Sequence, residues 1–131
     1  MLGIEKGEFT MKIQESGETY LETILNLKKT KAEVHSVDIC EALGYSKSSV
    51  SRAVNLLKDK GFIDIGTDGK ITFTPQGLAH AEEIYRRHGI LTAFLQKIGV
   101  DEQTAESDAC RIEHVISQQT IDAIKKFLQT Y

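Results

Sequence analysis

Apolar residues recur with a helical period through "SGETYLETILNLKK", where Tyr20, Ile24 and Leu27 form one stripe that Leu21 and Leu25 widen. The spacing predicts a helix of about three turns opening at Ser16. Ser36 is placed to cap a short second segment, "VDICEAL", with Val37, Cys40 and Leu43 facing inward and Gly44 breaking the helix. Ser46 can cap "KSSVSRAVNLLKDKG", in which Val50, Ala53 or Val54, and Leu57 repeat before Gly61 stops the pattern.

The period then changes to two. In "FIDIGTDGKITFT", residues 62–65 and 71–74 read as strands around a turn at Asp68 and Gly69, where positive φ suits a tight hairpin. Helix, short helix, helix and two-stranded wing in this order predict a mainly α chain that opens with a winged helix-turn-helix. The second helix of such a motif lies in the DNA major groove. Thr74 can cap, and Pro75 open, a long helix through Ala79, Ile84, Ile90, Leu91, Phe94 and Leu95 toward Ile98, ended by Gly99. Asp101 caps a further helix running into "ESDACRIEHVI", and "TIDAIKKFLQTY" forms the last, with Ile121, Ile124, Phe127 and Leu128 on its apolar side. The expected division is a DNA-binding domain over 1–74 and a helical domain over 75–131. The helices carry more apolar surface than a small winged domain covers, which suits either a larger monomer core or a two-fold dimer interface.

Composition narrows the classes. At 131 residues, with 40% hydrophobic and 27% charged positions, the chain is long enough for one domain, or for a small domain with a helical appendage. Cys40 and Cys110 fit no CxxC pattern, which argues against a secreted disulfide scaffold and makes a reducing cytoplasm the default. The start, "MLGIEKGEFTMK", lacks the marks of a signal peptide, and no stretch approaches the roughly twenty apolar residues that span a bilayer, so no membrane partner is expected.

A formal charge of -3 excludes a uniformly basic coat but leaves room for a local DNA-reading face. Lys47, Ser48, Ser49, Ser51, Arg52 and Asn55 populate the solvent side of the second motif helix, Lys58 and Lys60 follow at its end, and Lys70 marks the wing. Hydroxyls and Asn55 can hydrogen-bond in the groove or to the backbone while the cations approach phosphates. The bland alternative is an ordinary solvated helix face of a protein-interaction module.

The chemistry concentrates near the C-terminus. Cys110 and Glu113 are three apart and Cys110 and His114 four apart, so all share a helical face, with Glu106 one turn earlier. Mixed sulfur, oxygen and nitrogen donors suit iron, cobalt or zinc better than magnesium. Glu22, expected at the solvent edge of the first helix, and His88, after "YRR", are the distant donors that could join them and tether the DNA-binding part to the later helices. The structural alternative is a small buried cysteine, two solvated glutamates and a locally bonded histidine. His80 reads as a surface or packing residue and His35 as part of an interhelical turn, and neither has a comparable cluster.

Taken together, "ETYLETILNL", "SKSSVSRAVNLLKDKGFI", "TPQGLAHAEEIYRRHGILTAFL" and "DACRIEHVIS" resemble the diphtheria-toxin-repressor family of metal-dependent transcription repressors over residues 16–128. The resemblance implies a homodimer that binds operator DNA through its winged domain and represses metal-acquisition genes when loaded with Fe2+ or Mn2+. Co2+ or Zn2+ would be surrogates in vitro. In iron-type members a Cys, a Glu and a His stand as Cys110, Glu113 and His114 do. Manganese-type members carry Glu at the cysteine position and use a carboxylate corresponding to Glu22. His88 matches a metal-binding histidine of both branches, and Glu106 stands where iron-type members have an ancillary-site histidine. Thr19 replaces the common Met or Asp, and Thr92 a second ancillary carboxylate, so the chain mixes the branches. Its length resembles the short manganese-regulator architecture without the SH3-like domain of larger members.

The expected function is therefore metal-dependent repression by a protein that is not an enzyme. The alternatives are a metal-independent winged-helix regulator, whose DNA affinity would ignore changes at Cys110 or His114, and a metal hydrolase, for which no preorganised nucleophile is evident.

Overall fold

The computed structural model of the chain describes residues 17–131, so the predicted helix start at Ser16 lies outside the described residues. Helix α1 occupies residues 17–28. Its apolar stripe is buried as its spacing requires: Tyr20, Leu21 and Ile24 are covered, with Leu25 and Leu27 packed against the same cluster. Helices α2 (Ser36–Leu43) and α3 (Lys47–Asp59) follow, then strands β1 (Ile63–Ile65) and β2 (Ile71–Phe73), then helices α4 (Pro75–Lys97), α5 (Glu102–Ile112) and α6 (Gln118–Thr130). The strands pair antiparallel, Ile63 opposite Phe73 and Ile65 opposite Ile71. This is the mainly α, winged helix-turn-helix arrangement that the periodicities predict, with a helical part after the wing. No helix among the described residues is long and apolar enough to cross a membrane.

The chain divides into two compact units, one containing residues 17–82 and the other Glu83–Tyr131, with α4 running from the first into the second. In the first, Val34, Ile39, Val50, Val54, Ile63 and Ile71 join the α1 stripe in one core. Each fully buried aliphatic side chain contributes about 1.5–3 kcal/mol. An isolated bridge between Val34 and Ile71 adds a third backbone segment to the wing. Glu18 and His80 approach to 2.8 Å and so link α1 to the first half of α4. In the second unit Leu91, Ala109 and Ile121 form the core, flanked by Ile90, Ile112, Ile116 and Ile124.

Several local expectations change. His35, not Ser36, is the N-cap of α2, and Ser36 is its first helical residue. The inward face also differs from the expected one: Ile39 is fully buried while Val37 is 52% exposed. On α4, Ala81 is buried and Ala79 faces solvent. In the wing only Gly69 takes positive φ, at 85°, and no non-glycine described residue does. Its N–H closes the turn on the Gly66 carbonyl at 2.9 Å, so the connection is a longer loop over residues 66–70 rather than a two-residue hairpin with both central residues left-handed. Glu113 and His114 lie beyond the end of α5, which stops at Ile112.

Asp38 braces the start of α2 by accepting the His35 backbone N–H at 2.8 Å. That hydrogen bond, with the nearby Lys31 ammonium at 3.4 Å, holds its carboxyl below the usual aspartate range. A depressed folded pKa gives stability that is complete above the unfolded value of about 4 and lost as pH falls through the lower folded value. Asp38→Asn is therefore expected to flatten the loss of stability on acidification. Urea midpoints between about pH 6 and pH 3 read this directly. An acid-side slope in the variant equal to that of the unaltered chain would remove Asp38 from the account.

Candidate metal centre and nucleic-acid face

Helix α5 opens on Asp101, whose carboxylate accepts the Thr104 N–H at 3.2 Å, and its last turn presents Cys110. Glu113 retains helical dihedrals (φ -57°, ψ -26°) although it is the C-cap, so the i, i+3, i+4 relationship survives past the helix end. One ligand atom each from Cys110, Glu113 and His114 consequently lies within 4.8 Å of the others. The Glu113 side chain is 0% exposed and His114 only 5%, while Cys110 lies on the solvent side.

From α4, His88 brings Nδ1 to 2.9 Å from Glu113 Oε2, and His114 Nε2 stands 3.5 Å from Glu113 Oε1. A wholly buried carboxylate flanked by two imidazoles and a thiol suits a divalent cation, because such a charge is costly to bury unless an opposite charge meets it. Arg87, which the sequence pattern did not single out, secures the chain behind the cluster. Its guanidinium donates to the carbonyls of Ile116 at 3.1 Å and Glu113 at 3.4 Å, and to Gln118 Oε1 at 3.0 Å. Only its place in "YRRH", next to His88, hinted at this, since its partners lie 26 to 31 residues away.

The other expected donors are placed differently. Glu106 is exposed on α5, and the converging group of Cys110, Glu113 and His114 does not include it. Glu22 is half-buried on α1 rather than fully exposed. Its Oε2 is buried without a hydrogen-bond partner among the described residues, as is Thr92 Oγ1 on α4.

Along α3, Lys47, Ser48, Ser51, Arg52, Asn55 and Lys58 are all exposed, giving a continuous polar face opposite the buried Val50, Val54 and Leu57. Ser46 caps the helix by accepting the Ser49 N–H at 3.2 Å, and its hydroxyl bonds that of Ser49 at 3.0 Å, so Ser49 is half-buried and already engaged. Asn55 Nδ2 donates to the Ser51 carbonyl at 2.8 Å, which holds its amide along the helix. Lys70 is half-buried at the start of β2, beside Asp68.

Residues 12–69 match the family model described as iron dependent repressor, N-terminal DNA binding domain, and residues 74–131 match iron dependent repressor, metal binding and dimerisation domain. The transcriptional regulator MntR of Salmonella typhimurium is 35% identical over 112 residues, 86% of this chain and 71% of that protein. The HTH-type transcriptional regulator MntR of Lysinibacillus sphaericus is 35% identical over 114 residues, covering 87% of this chain and 82% of its own length. The chain belongs to the diphtheria-toxin-repressor family. A solved manganese-dependent transcriptional repressor in complex with manganese superposes with a TM-score of 0.79 at 26% identity, over 86% of this chain and 52% of that one. The crystal structure of T. acidophilum IdeR gives a TM-score of 0.73 at 25% identity, and here too this chain spans about half of the solved relative, 53%. Within this diphtheria-toxin-repressor chain, the metal-binding model spans His88, Cys110, Glu113 and His114, and the DNA-binding model spans Glu22 and all of α3.

Proposed function

We propose that the chain is a DNA-binding transcription repressor of metal-uptake or homeostasis genes, activated by Fe2+ or Mn2+ and acting as a homodimer on double-stranded operator DNA in the cytoplasm. The observation that carries this reading is the convergence of Cys110 and His114 on the wholly buried Glu113 carboxylate, in the same chain as an exposed polar helix α3. In this reading residues 1–74 read DNA and 75–131 bind metal and dimerise.

Cys110, Glu113, His114 and His88 hold the cation, and Glu22 and Glu106 are further donors. The buried, unpartnered Oε2 of Glu22 supports its inclusion. A bound divalent cation would add positive charge beside the buried Glu113 carboxylate. His88 orients Glu113 by donating its Nδ1–H to that carboxylate at 2.9 Å, which leaves Nε2 as its donor to the cation. The sulfur of Cys110 favours Fe2+, whereas the named relatives include a manganese-dependent repressor. Lys47, Ser48, Ser49, Ser51, Arg52, Asn55, Lys58 and Lys70 contact DNA, the cations through phosphates and the hydroxyl and amide groups through the groove or backbone.

Repression is then a matter of linked binding equilibria: a cation that prefers the DNA-competent state tightens operator binding, and operator tightens cation binding by the same factor. The test uses a duplex selected from random-sequence DNA in the presence of Mn2+. Affinity is measured at fixed salt with Mn2+, anaerobic Fe2+, Co2+, Zn2+ or a chelator. At least tenfold tighter binding with an effector metal is expected, and Arg52→Ala should weaken binding and lower the salt slope by about 1. Equal affinity with metal and chelator would sink the reading.

A further inference from the structure

The segment before α2 brings together chemistry that neither the family match nor the Cys110 cluster absorbs. Glu33, His35 and Asp68 each place one ligand atom within 4.8 Å of the others'. They converge through the fold, since 32 positions lie between His35 and Asp68. Val34 is fully buried and bridges Ile71, with the Ile71 N–H donating to the Val34 carbonyl at 2.8 Å. Extended backbone at Val34 sends its neighbours to the opposite face, so Glu33 and His35 emerge together on the side of the wing loop.

Both backbones that carry the donors are tied down. The His35 N–H is held by Asp38 at 2.8 Å, and Asp68 Oδ1 accepts the Lys70 N–H at 3.0 Å, which orients that carboxylate. The His35 ring lies over the loop: a Cβ at Gly69 would stand 3.6 Å from its Cδ2. Lys31, from the same segment, is engaged with Asp38 at 3.4 Å.

We propose that Glu33, His35 and Asp68 form a second divalent-cation site at the root of the wing. One imidazole nitrogen and two carboxylate oxygens suit Zn2+, Mn2+, Fe2+ or Co2+, and three protein ligands leave positions for water. The cation offsets the mutual repulsion of the two carboxylates and joins the α1–α2 connection to the loop over residues 66–70. Because Glu33 and Asp68 are exposed, the site is weaker than the buried Glu113 cluster and fills after it. The proposal stands independently of the DNA-binding reading.

The test uses the full chain carrying Cys110→Ser and His114→Ala, which disables the first cluster. During an Mn2+ titration followed by NMR, paramagnetic broadening is expected first at the amides of residues 33–36 and 66–70. Adding His35→Gln, or separately Asp68→Asn, which keeps the acceptor for Lys70, should weaken that binding at least tenfold. The dispersion of the same spectra reports folding.

A second measurement uses the otherwise unaltered chain. His35→Gln should remove the weaker equivalent of Mn2+ by direct stoichiometry, and should leave the sulfur-to-cobalt charge-transfer band of Cys110 intact. Absence of local broadening, broadening that ignores both substitutions, or unchanged stoichiometry would each overturn the proposal.

Discussion

Gly77→Ala is expected to destabilise the chain by about 3–5 kcal/mol, the sum of a backbone overlap and a weakened helix cap. A Cβ at position 77 would stand 1.7 Å from the Phe62 carbonyl oxygen, 2.7 Å from its carbonyl carbon and 3.0 Å from its Cα. These are main-chain atoms, so no rotamer change relieves the overlap. Nor can the two segments part freely. The Thr74 N–H donates to that same Phe62 oxygen at 3.1 Å, the Thr74 hydroxyl donates to Gly61 at 2.7 Å, and it accepts the Gly77 N–H at 3.0 Å. Moving α4 away breaks the joint that sets its start against the end of α3 and the wing.

With total stabilities of about 5–15 kcal/mol for ordinary domains, such a loss removes much of the folded population. Gly89→Ala is the control on the same helix. Its Cβ meets nothing within 4 Å, and a helix-interior Gly-to-Ala change stabilises by up to about 1 kcal/mol. Denaturation midpoints of the two variants should therefore move in opposite directions. A Gly77→Ala chain that unfolds at the unaltered midpoint would show that the close approach carries no energetic weight.

His114→Ala and Cys110→Ala are each expected to weaken cation binding by at least about 100-fold, or roughly 2.7 kcal/mol. Either change removes one of the donors that converge within 4.8 Å, and leaves the Glu113 carboxylate, which is 0% exposed, to meet the cation with fewer partners. His88→Gln should act more mildly, by about 10- to 100-fold, because glutamine can keep a hydrogen bond to Glu113, which His88 contacts at 2.9 Å, while the imidazole donor is lost.

The same variants should lose the metal-induced rise in Tm, since a ligand stabilises a chain only in proportion to its occupancy of the folded state. Direct metal titration and thermal unfolding, with and without Mn2+ or anaerobic Fe2+, read both effects. Wild-type affinity and an undiminished Tm rise in either single variant would place the cation elsewhere in the chain.

The outline of the fold was readable from local signals. The α1 stripe, the Ser46, Thr74 and Asp101 caps, and the change of period at the wing all act within a few residues, and all reappear in the structure. Where a segment was short, the signal left two solutions. The apolar residues of α2 permit either Val37 or Ile39 to face inward, and packing against α1, α3 and the wing selected Ile39. The spacing of Cys110, Glu113 and His114 revealed that they share a face. It did not reveal that α5 would end before Glu113, because continued helical dihedrals preserve the spacing without the helix.

The sequence by itself thus determined the order of elements and the donor triad, since periodicity, capping and i, i+3, i+4 spacing are properties of one stretch of chain. Only the tertiary structure decided the burial of Glu113 and of Glu22 Oε2, the clamp of Arg87 on carbonyls after α5, the requirement for glycine at position 77 and the meeting of Glu33 and His35 with Asp68. Each depends on atoms brought together from segments many residues apart, and desolvation, backbone clearance and ligand convergence exist only once those segments have packed.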